Sequence, residues 1–144
     1  MRVHASCGAL ITPSGPEAFL LRGLPGAGKS DFLLRLIDQG FVLVADDQVV
    51  IENGIARPPE ALQGVLEVRG LGLFRLHYLR EAPLKLVVQL GVALVRLPAP
   101  EHDPVLNLPV ITIDPAAPSA PARLRLAMNA VAGRVTQIAG AFAA

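Results

Sequence analysis

The chain has 144 residues, of which 52% are hydrophobic and 17% charged, and its formal net charge is +1. This hydrophobic fraction supports a buried core and excludes extensive disorder. The near-neutral net charge creates no electrostatic field that would attract nucleic acid or an anionic membrane. The single cysteine, Cys7, excludes an internal disulfide and a cysteine-based zinc site. No apolar run approaches the roughly 20 residues of a membrane span, and the amino terminus has no secretory-signal pattern. We therefore expect one cytoplasmic domain over residues 1–144, without nucleic-acid or membrane partners.

The first predicted elements are a β-hairpin, a helix and a buried strand. Val3–Ile11 and Ala18–Arg22 are apolar runs separated by proline, serine and glycine, which is typical of a hairpin. Ser30–Gln39 carries apolar residues at the spacing of an amphipathic helix, and Gly40 is a natural helix stop. Phe41–Ala45 is an apolar run of the length of a buried strand.

The middle of the chain is predicted to contain a second hairpin and then a loop. Gln48–Glu52 and Ile55–Arg57 flank Asn53-Gly54, the strongest two-residue hairpin signal. Val65–Leu79 carries Gly70 and Gly72 within an apolar stretch, which predicts a loop with close backbone contacts.

The last part is predicted to hold two strands, an irregular segment and a closing helix. Leu84–Leu90 and Val92–Leu97 have the composition of strands. Pro98–Pro121 is rich in proline, which indicates an exposed irregular loop. Ala122–Ala141 offers an apolar face at helical spacing and is predicted to be the closing helix.

A phosphate-binding loop is the dominant motif of the sequence. Residues 23–30 match the pattern G-x-x-x-x-G-K-[ST] between a predicted strand and a predicted helix, which is the context the motif requires. The glycines let several N–H groups point at one phosphate, the lysine supplies a cation at the β- and γ-phosphates, and the serine hydroxyl can bind Mg²⁺. The alternative is a glycine-rich turn without a ligand. We predict a nucleotide triphosphate site formed by Gly23, Leu24, Pro25, Gly26, Ala27, Gly28, Lys29 and Ser30.

Two adjacent carboxylates, Asp46 and Asp47, follow the predicted strand Phe41–Ala45. If this strand runs parallel to Ala18–Arg22, both carboxylates emerge at the edge of the sheet that carries the phosphate loop. One could then hold a metal ion while the other takes a proton from an incoming hydroxyl. The alternative is an ordinary Asp-Asp-Gln turn before the next strand.

Three stretches in this order resemble the catalytic domain of the bacterial HPr kinase/phosphorylase family. They are VHAS (Val3–Ser6), GLPGAGKSDFLLRLIDQGFVLVADDQVVI (Gly23–Ile51) and LEVRGLGLF (Leu66–Phe74). Members of this family phosphorylate a serine of a small phosphocarrier protein and can remove the phosphate by phosphorolysis. The resemblance implies a short form, without the amino-terminal domain of longer members, that acts on an HPr-like protein with ATP and Mg²⁺. It also implies an α/β fold, a single P-loop domain with a mostly β core like the nucleotide-binding region of phosphoenolpyruvate carboxykinase.

The resemblance also implies roles for individual residues outside the phosphate loop. Asp46 would be the acid/base, and Asp47 would support the metal or the hydrogen bonds of Asp46. Glu67 would be a second metal-side carboxylate beside Ser30, Arg69 would belong to the same signature, and His4 would lie beside the catalytic aspartate. Without the resemblance, Glu67 and Arg69 would fit the solvent face of an ordinary strand, and His4 would fit an exposed strand histidine.

The carboxy-terminal side departs from the family pattern. The family's P-V-x-P-G-R-N loop corresponds here to LPVITIDPAAPSAPARL, which lacks the Gly-Arg-Asn part. This difference counts against the phosphorylase direction and against the family's oligomer contact through that loop, although the apolar composition favours a homo-oligomer. A nucleotide-binding regulatory module with little or no phosphotransfer is the alternative function. A small-molecule kinase ranks lowest, because no Arg or Lys lies between Pro98 and Ala122 to form a lid.

Overall fold

A computed structural model describes residues 1–143 of the protein, and Ala144, the last residue of the predicted domain, lies outside the described residues. The described residues form a mixed α/β fold with a mostly β core. The helices are α1 (Lys29–Asp38) and α2 (Ala120–Val131), and a short 3-10 helix covers Glu60–Leu62. The strands are β1 (Arg2–His4), β2 (Ser6–Thr12), β3 (Gly15–Arg22), β4 (Val42–Ala45), β5 (Gln48–Glu52), β6 (Ile55–Arg57), β7 (Val65–Val68), β8 (Gly72–Arg75), β9 (Ala82–Leu90), β10 (Glu101–Asp103) and β11 (Leu108–Ile113).

One large sheet organises the fold and sets the position of the phosphate loop. Its strands lie in the order β1-β5-β6-β9-β3-β2-β4, and β11 pairs with the second half of β9 and with β10. Because β2 is antiparallel to both β3 and β4, these two strands run parallel to each other on either side of it. The carboxyl ends of β3 and β4 and the amino end of β2 therefore meet at one edge of the sheet.

Two clusters of buried aliphatic side chains stabilise the sheet from opposite faces. Helices α1 and α2 supply Phe32, Leu36, Leu124 and Met128 to the first cluster, which also contains Phe19 of β3. The alternation of strand side chains sends Leu20, the neighbour of Phe19 on β3, into the second cluster, which is built mainly from alanine, valine and leucine of β2 to β6. Buried side chains therefore pack against both faces of the sheet whose edge carries the phosphate loop.

Most predictions for the first half of the chain are confirmed. β2 and β3 form the expected hairpin, with Ser6 paired to Leu21 and Thr12 to Gly15. Helix α1 covers the predicted amphipathic segment, and β5 and β6 form the hairpin around Asn53-Gly54. Strand β9 contains the predicted strand Leu84–Leu90.

The prediction of a loop with close backbone contacts over Val65–Leu79 is wrong. The segment contains the hairpin of β7 and β8, and Gly70 and Gly72 serve its turn, with φ of 86° and 127° and open space where a Cβ would lie. The close contact lies at Gly64, where a Cβ would come within 2.8 Å of the Tyr78 ring and 2.9 Å of the Leu76 carbonyl oxygen.

Three predictions for the last third also need correction. Val92–Leu97 forms no strand, because the chain leaves the sheet at Gly91 and the apolar side chains that follow are exposed. Pro98–Pro121 is not wholly irregular, since it contains β10 and β11. Pro109 lies near the start of β11, where a missing backbone N–H is tolerated. Helix α2 ends at Val131 rather than Ala141, since Gly133 follows it in the left-handed conformation that terminates helices.

Candidate phosphotransfer site

The phosphate loop joins the end of β3 to the start of α1. Gly26 and Gly28 have φ of 84° and 91°, which a residue with a side chain adopts only under strain. A Cβ at Gly26 would meet nothing within 4 Å, so the loop presents bare backbone to the solvent on this side. The loop therefore has the curled, side-chain-free backbone from which N–H groups bind a phosphate.

Lys29 carries its ammonium group back over the loop. Its Nζ donates to the carbonyl oxygens of Gly23 at 3.0 Å and Leu24 at 3.3 Å. Both acceptors are neutral main-chain groups, so the positive charge is positioned at the loop without being neutralised by a carboxylate. A phosphate bound by the loop would lie within the field of this cation.

Asp46 lies buried beneath the start of α1. The residue is 5% exposed, and its Oδ1 and Oδ2 are 2.9 and 3.0 Å from the Ser30 hydroxyl. Ser6, the first residue of β2, donates a further hydrogen bond of 2.7 Å to Oδ1. The parallel relation of β3 and β4 thus brings Asp46 to the phosphate loop, although the two are separated along the chain by the whole of α1.

Asp47 faces the opposite way from Asp46. It has a φ of 70°, and this left-handed turn directs its side chain outward, where 65% of it is exposed. His4 Nε2 lies 3.2 Å from Asp47 Oδ1, and 59% of the histidine side chain is exposed. The Asp-Asp-Gln turn therefore exists, and it also separates one aspartate below the phosphate loop from one aspartate that faces solvent.

A cleft of about 500 Å³ is lined by most of these groups, whereas the predicted acid/base Asp46 is buried and does not line it. Glu67, Val68 and Arg69 of the β7–β8 hairpin form part of its lining. Glu67 and Arg69 are exposed, whereas Val68 packs against the core cluster that contains Leu66. The predicted site residues that line the cleft are His4, Pro25, Gly26, Gly28, Lys29, Ser30, Asp47, Glu67 and Arg69.

Three residues of the predicted nucleotide loop do not line the cleft. Gly23 and Leu24 contribute the carbonyl groups that hold Lys29, and the Leu24 side chain is 80% exposed. Ala27 packs against the core, and its Cβ would lie 3.0 Å from a Cβ placed on Gly23. These three residues support the conformation of the loop without facing the cleft.

The cleft also contains residues that the sequence did not single out. Ser6, Asp31 and Leu34 line it. Ser6 is the last residue of the VHAS stretch, but a serine in a strand carries no pattern of its own. Cys7, its neighbour, is fully buried, and this burial raises the pKa of its thiol well above the ordinary range, so it is not a nucleophile.

The residues at the phosphate loop suit a magnesium ion. Within residues 1–143, no group of three or more His, Cys, Asp or Glu side chains is close enough to enclose a metal ion. Mg²⁺ is usually bound by only one or two carboxylates, together with water and substrate phosphates. The Ser30 hydroxyl beside the Asp46 carboxylate is an oxygen donor pair of this kind, so the donor set fits the ion.

Comparison with known proteins identifies the family. A family model described as the HPr serine kinase C-terminal domain matches residues 5–94. The chain belongs to this family. The resemblance drawn from the sequence motifs is therefore confirmed, and the match contains the phosphate loop, both aspartates and the β7–β8 hairpin of the HPr kinase domain.

Individual relatives agree with this membership. HPr kinase/phosphorylase of Burkholderia cenocepacia is 41% identical over 117 residues, covering 68% of this chain and 36% of the relative. The protein of the same name from Bordetella pertussis is 39% identical over 107 residues, covering 66% of this chain and 33% of the relative. The chain thus spans about a third of the length of the curated relatives it matches.

A solved structure shares the fold along nearly the whole chain. The Hpr(Ser) kinase/phosphatase from Coxiella burnetii matches with a TM-score of 0.68 and 23% identity, covering 93% of this chain and 96% of that one. The shared fold therefore extends beyond residue 94, where the family match ends. Among the described residues, no helix combines the length and the apolar character needed to cross a bilayer.

Proposed function

We propose that this chain is an ATP-dependent protein kinase that transfers phosphate to a serine of an HPr-like phosphocarrier protein. The observation that carries the proposal is the separation of the two aspartates: Asp46 is buried against Ser30, and Asp47 lies open in the cleft beside His4. Phosphoryl transfer needs one group on the metal side of the nucleotide and another that can reach the incoming hydroxyl. Asp46 would serve at the first position and Asp47 at the second.

We assign nucleotide binding to the loop of residues 23–30. Its N–H groups and the Lys29 ammonium would hold the triphosphate, and the positive end of α1 would face the same anion. Ser30 and Asp46 would hold Mg²⁺, with Glu67 as a further oxygen donor from the β7–β8 hairpin. When bound, the ion would neutralise the charge that develops on the phosphoryl oxygens. On this proposal the chain would be a P-loop enzyme like the nucleotide-binding region of phosphoenolpyruvate carboxykinase, acting as one domain over residues 1–144.

We assign the proton transfer to Asp47 rather than to Asp46. The sequence resemblance implies the reverse, but Asp46 is 5% exposed and both its oxygens contact hydroxyl groups of the protein. An incoming serine would meet Asp47 first, and His4 would orient that carboxylate. The serine oxygen would form a bond to the γ-phosphorus, the bond between that phosphorus and the β–γ bridging oxygen would break, and the serine proton would pass to Asp47. Arg69, exposed at the same cleft, would attract the phosphoryl oxygens.

A regulatory module that binds nucleotide without phosphotransfer is the second candidate. It is favoured by the segment after β9, which has no Arg or Lys between Pro98 and Ala122 and lacks the Gly-Arg-Asn part of the family loop. The same feature counts against the phosphorylase direction. A cytoplasmic homo-oligomer without nucleic-acid or membrane partners completes the proposal.

A transfer assay with matched variants distinguishes the two candidates. The purified protein is incubated with ATP, Mg²⁺ and a serine-bearing phosphocarrier, and phosphate incorporation is followed by mass spectrometry. We expect wild-type transfer, and for Asp47→Asn a loss of roughly 10²- to 10⁴-fold in rate with nucleotide binding retained, because only the proton acceptor is removed. Asp46→Asn should instead raise the Mg²⁺ concentration needed for half-maximal nucleotide binding.

The control is Asp38→Asn, which changes an exposed carboxylate at the far end of α1 and should leave transfer unchanged. Nucleotide binding by the wild type without any transfer would establish the regulatory module. Full transfer by Asp47→Asn would remove that residue from the mechanism.

A further inference from the structure

We infer that Ser6 is a positioning residue, whose hydroxyl orients the Asp46 carboxylate for the metal ion that accompanies the nucleotide. This inference rests on the proposed function, because it concerns the same site. It adds a residue that neither the phosphate loop motif nor the Asp-Asp pair includes.

Ser6 has the geometry of a dedicated hydrogen-bond donor. The residue is 1% exposed, and its Oγ donates to Asp46 Oδ1 at 2.7 Å. In a buried strand an unpaired hydroxyl is costly, so a serine persists where it has a partner. Here the partner is a carboxylate, and a hydrogen bond to a charged acceptor is stronger than one to a neutral group.

The strand gives this donor a fixed position. Ser6 is the first residue of β2, where it pairs with Leu21 of β3, and Cys7 pairs with Ala45 of β4. β2 therefore lies between the strand that leads into the phosphate loop and the strand that leads into Asp46. A group on a paired strand is held more precisely than one on a loop.

The two serines contact the Asp46 carboxylate from different sides. Ser6 contacts only Oδ1, from the side of the sheet, whereas Ser30 contacts both oxygens from the side of the phosphate loop. If the Ser30 hydroxyl turns to the metal, Ser6 still holds Oδ1, so Oδ2 keeps facing Ser30. Residues that hydrogen-bond a metal-binding carboxylate in this way typically change metal affinity or activity by 10- to 100-fold when they are mutated.

The test measures metal binding directly. Mn²⁺ replaces Mg²⁺, a non-hydrolysable ATP analogue is added, and bound Mn²⁺ is determined by electron paramagnetic resonance. For Ser6→Ala we expect a Mn²⁺ affinity roughly 10-fold below wild type, with the affinity for the analogue in the absence of metal unchanged. Ser6→Thr retains the hydroxyl and should restore Mn²⁺ affinity, which a purely structural role of the residue would not predict.

The matched control is Cys7→Ala, which also removes one buried heavy atom from β2 but leaves Asp46 untouched. Wild-type Mn²⁺ affinity in Ser6→Ala, or an equal loss in Cys7→Ala, would overturn the inference while leaving the proposed function intact. Absence of Mn²⁺ binding by the wild type with the analogue would overturn both. If circular dichroism shows that Ser6→Ala is unfolded, Ser6→Cys keeps the volume with only a weak donor and carries the same expectation.

Discussion

At the scale of single residues, Lys29 has the clearest assignment in the proposed site. Its ammonium contacts two carbonyl oxygens of its own loop, and no acidic side chain forms an ion pair with it among residues 1–143. A triphosphate would offer this cation a charged acceptor in place of neutral ones, which is a gain in free energy on binding.

We predict that Lys29→Ala weakens ATP binding by about 10- to 100-fold, the equivalent of about 1.5 to 3 kcal/mol for a hydrogen bond to a charged group. Isothermal titration calorimetry with Mg-ATP measures this change. Lys85→Ala on β9 is the matched control, because Lys85 is the only other lysine of the sequence and is exposed outside the cleft. Equal affinity of wild type and Lys29→Ala would show that the loop does not bind the phosphates.

The roles of neighbouring residues show what the sequence left undetermined. Asp46 and Asp47 are adjacent, so no motif can say which of them is buried. The left-handed turn at Asp47 separates them by turning one under Ser30 and the other toward His4. Ser6 was missed for a related reason, since the role proposed for it depends on the pairing of β2 with β4 and not on any local pattern.

At the scale of elements, the position of the β7–β8 hairpin depends on Gly64. This glycine has a φ of 72°, and its carbonyl accepts a hydrogen bond of 2.8 Å from the Leu76 N–H, which closes the base of the hairpin. A Cβ here would press on the Leu76 carbonyl and the Tyr78 ring. The hairpin carries Glu67 and Arg69, so this contact also fixes one part of the cleft.

We predict that Gly64→Ala lowers the free energy of unfolding by roughly 2 to 4 kcal/mol, from left-handed backbone strain together with overpacking. Gly54→Ala is the control, because Gly54 has a similar φ of 76° but open space around its Cβ position. It should cost only the backbone strain, about 1 to 2 kcal/mol. Urea unfolding of both variants measures the difference. Equal losses of unfolding free energy would mean that the close contact at Gly64 contributes nothing to stability.

The elements differ in how far the sequence could predict them. The β2–β3 hairpin, α1, and the β5–β6 hairpin carry local signals: turn residues, helical spacing and Asn53-Gly54. Strand β11 carries no local signal strong enough to outweigh its proline, Pro109, because it is stabilised by parallel pairing with the distant β9. Val92–Leu97 shows the converse. This segment has the composition of a strand, but it forms none because no neighbouring strand pairs with it.

At the scale of the whole molecule, two ion pairs connect β3 to distant segments. Glu17 accepts hydrogen bonds of 2.9 and 2.6 Å from Arg134, which follows α2, and Asp103 on β10 accepts one of 2.6 Å from Arg22 at the end of β3. The Arg134 guanidinium holds the pKa of Glu17 below its usual value, and the Arg22 guanidinium does the same to the pKa of Asp103.

These lowered pKa values give the stability a defined pH dependence. Their contribution is complete above the unfolded-state pKa values of about 4.5 for Glu and 3.8 for Asp, and it is lost as the pH falls through the lower folded-state values. We predict that the double variant Glu17→Gln, Asp103→Asn has a lower free energy of unfolding than wild type at pH 7. The difference between the two free energies should narrow as the pH falls below about 4. Urea unfolding at several pH values measures this gap.

The control for the acid effect is Glu81→Gln, which changes an exposed glutamate just before β9 and should follow the wild type at every pH. A gap between wild type and the double variant that stays constant from pH 7 to pH 3 would contradict the linkage.

The central claim is that the phosphate loop and the carboxyl end of β4 form one phosphotransfer site. A crystal structure with a non-hydrolysable ATP analogue and Mn²⁺, with the metal located by its anomalous signal, tests this claim most directly. We expect the phosphates on the loop of residues 23–30, Lys29 turned from the Gly23 and Leu24 carbonyls to a phosphate, and the metal beside Ser30 and Asp46, with Asp47 facing the γ-phosphate. A nucleotide bound elsewhere, or a metal ion out of reach of both Ser30 and Asp46, would contradict the claim.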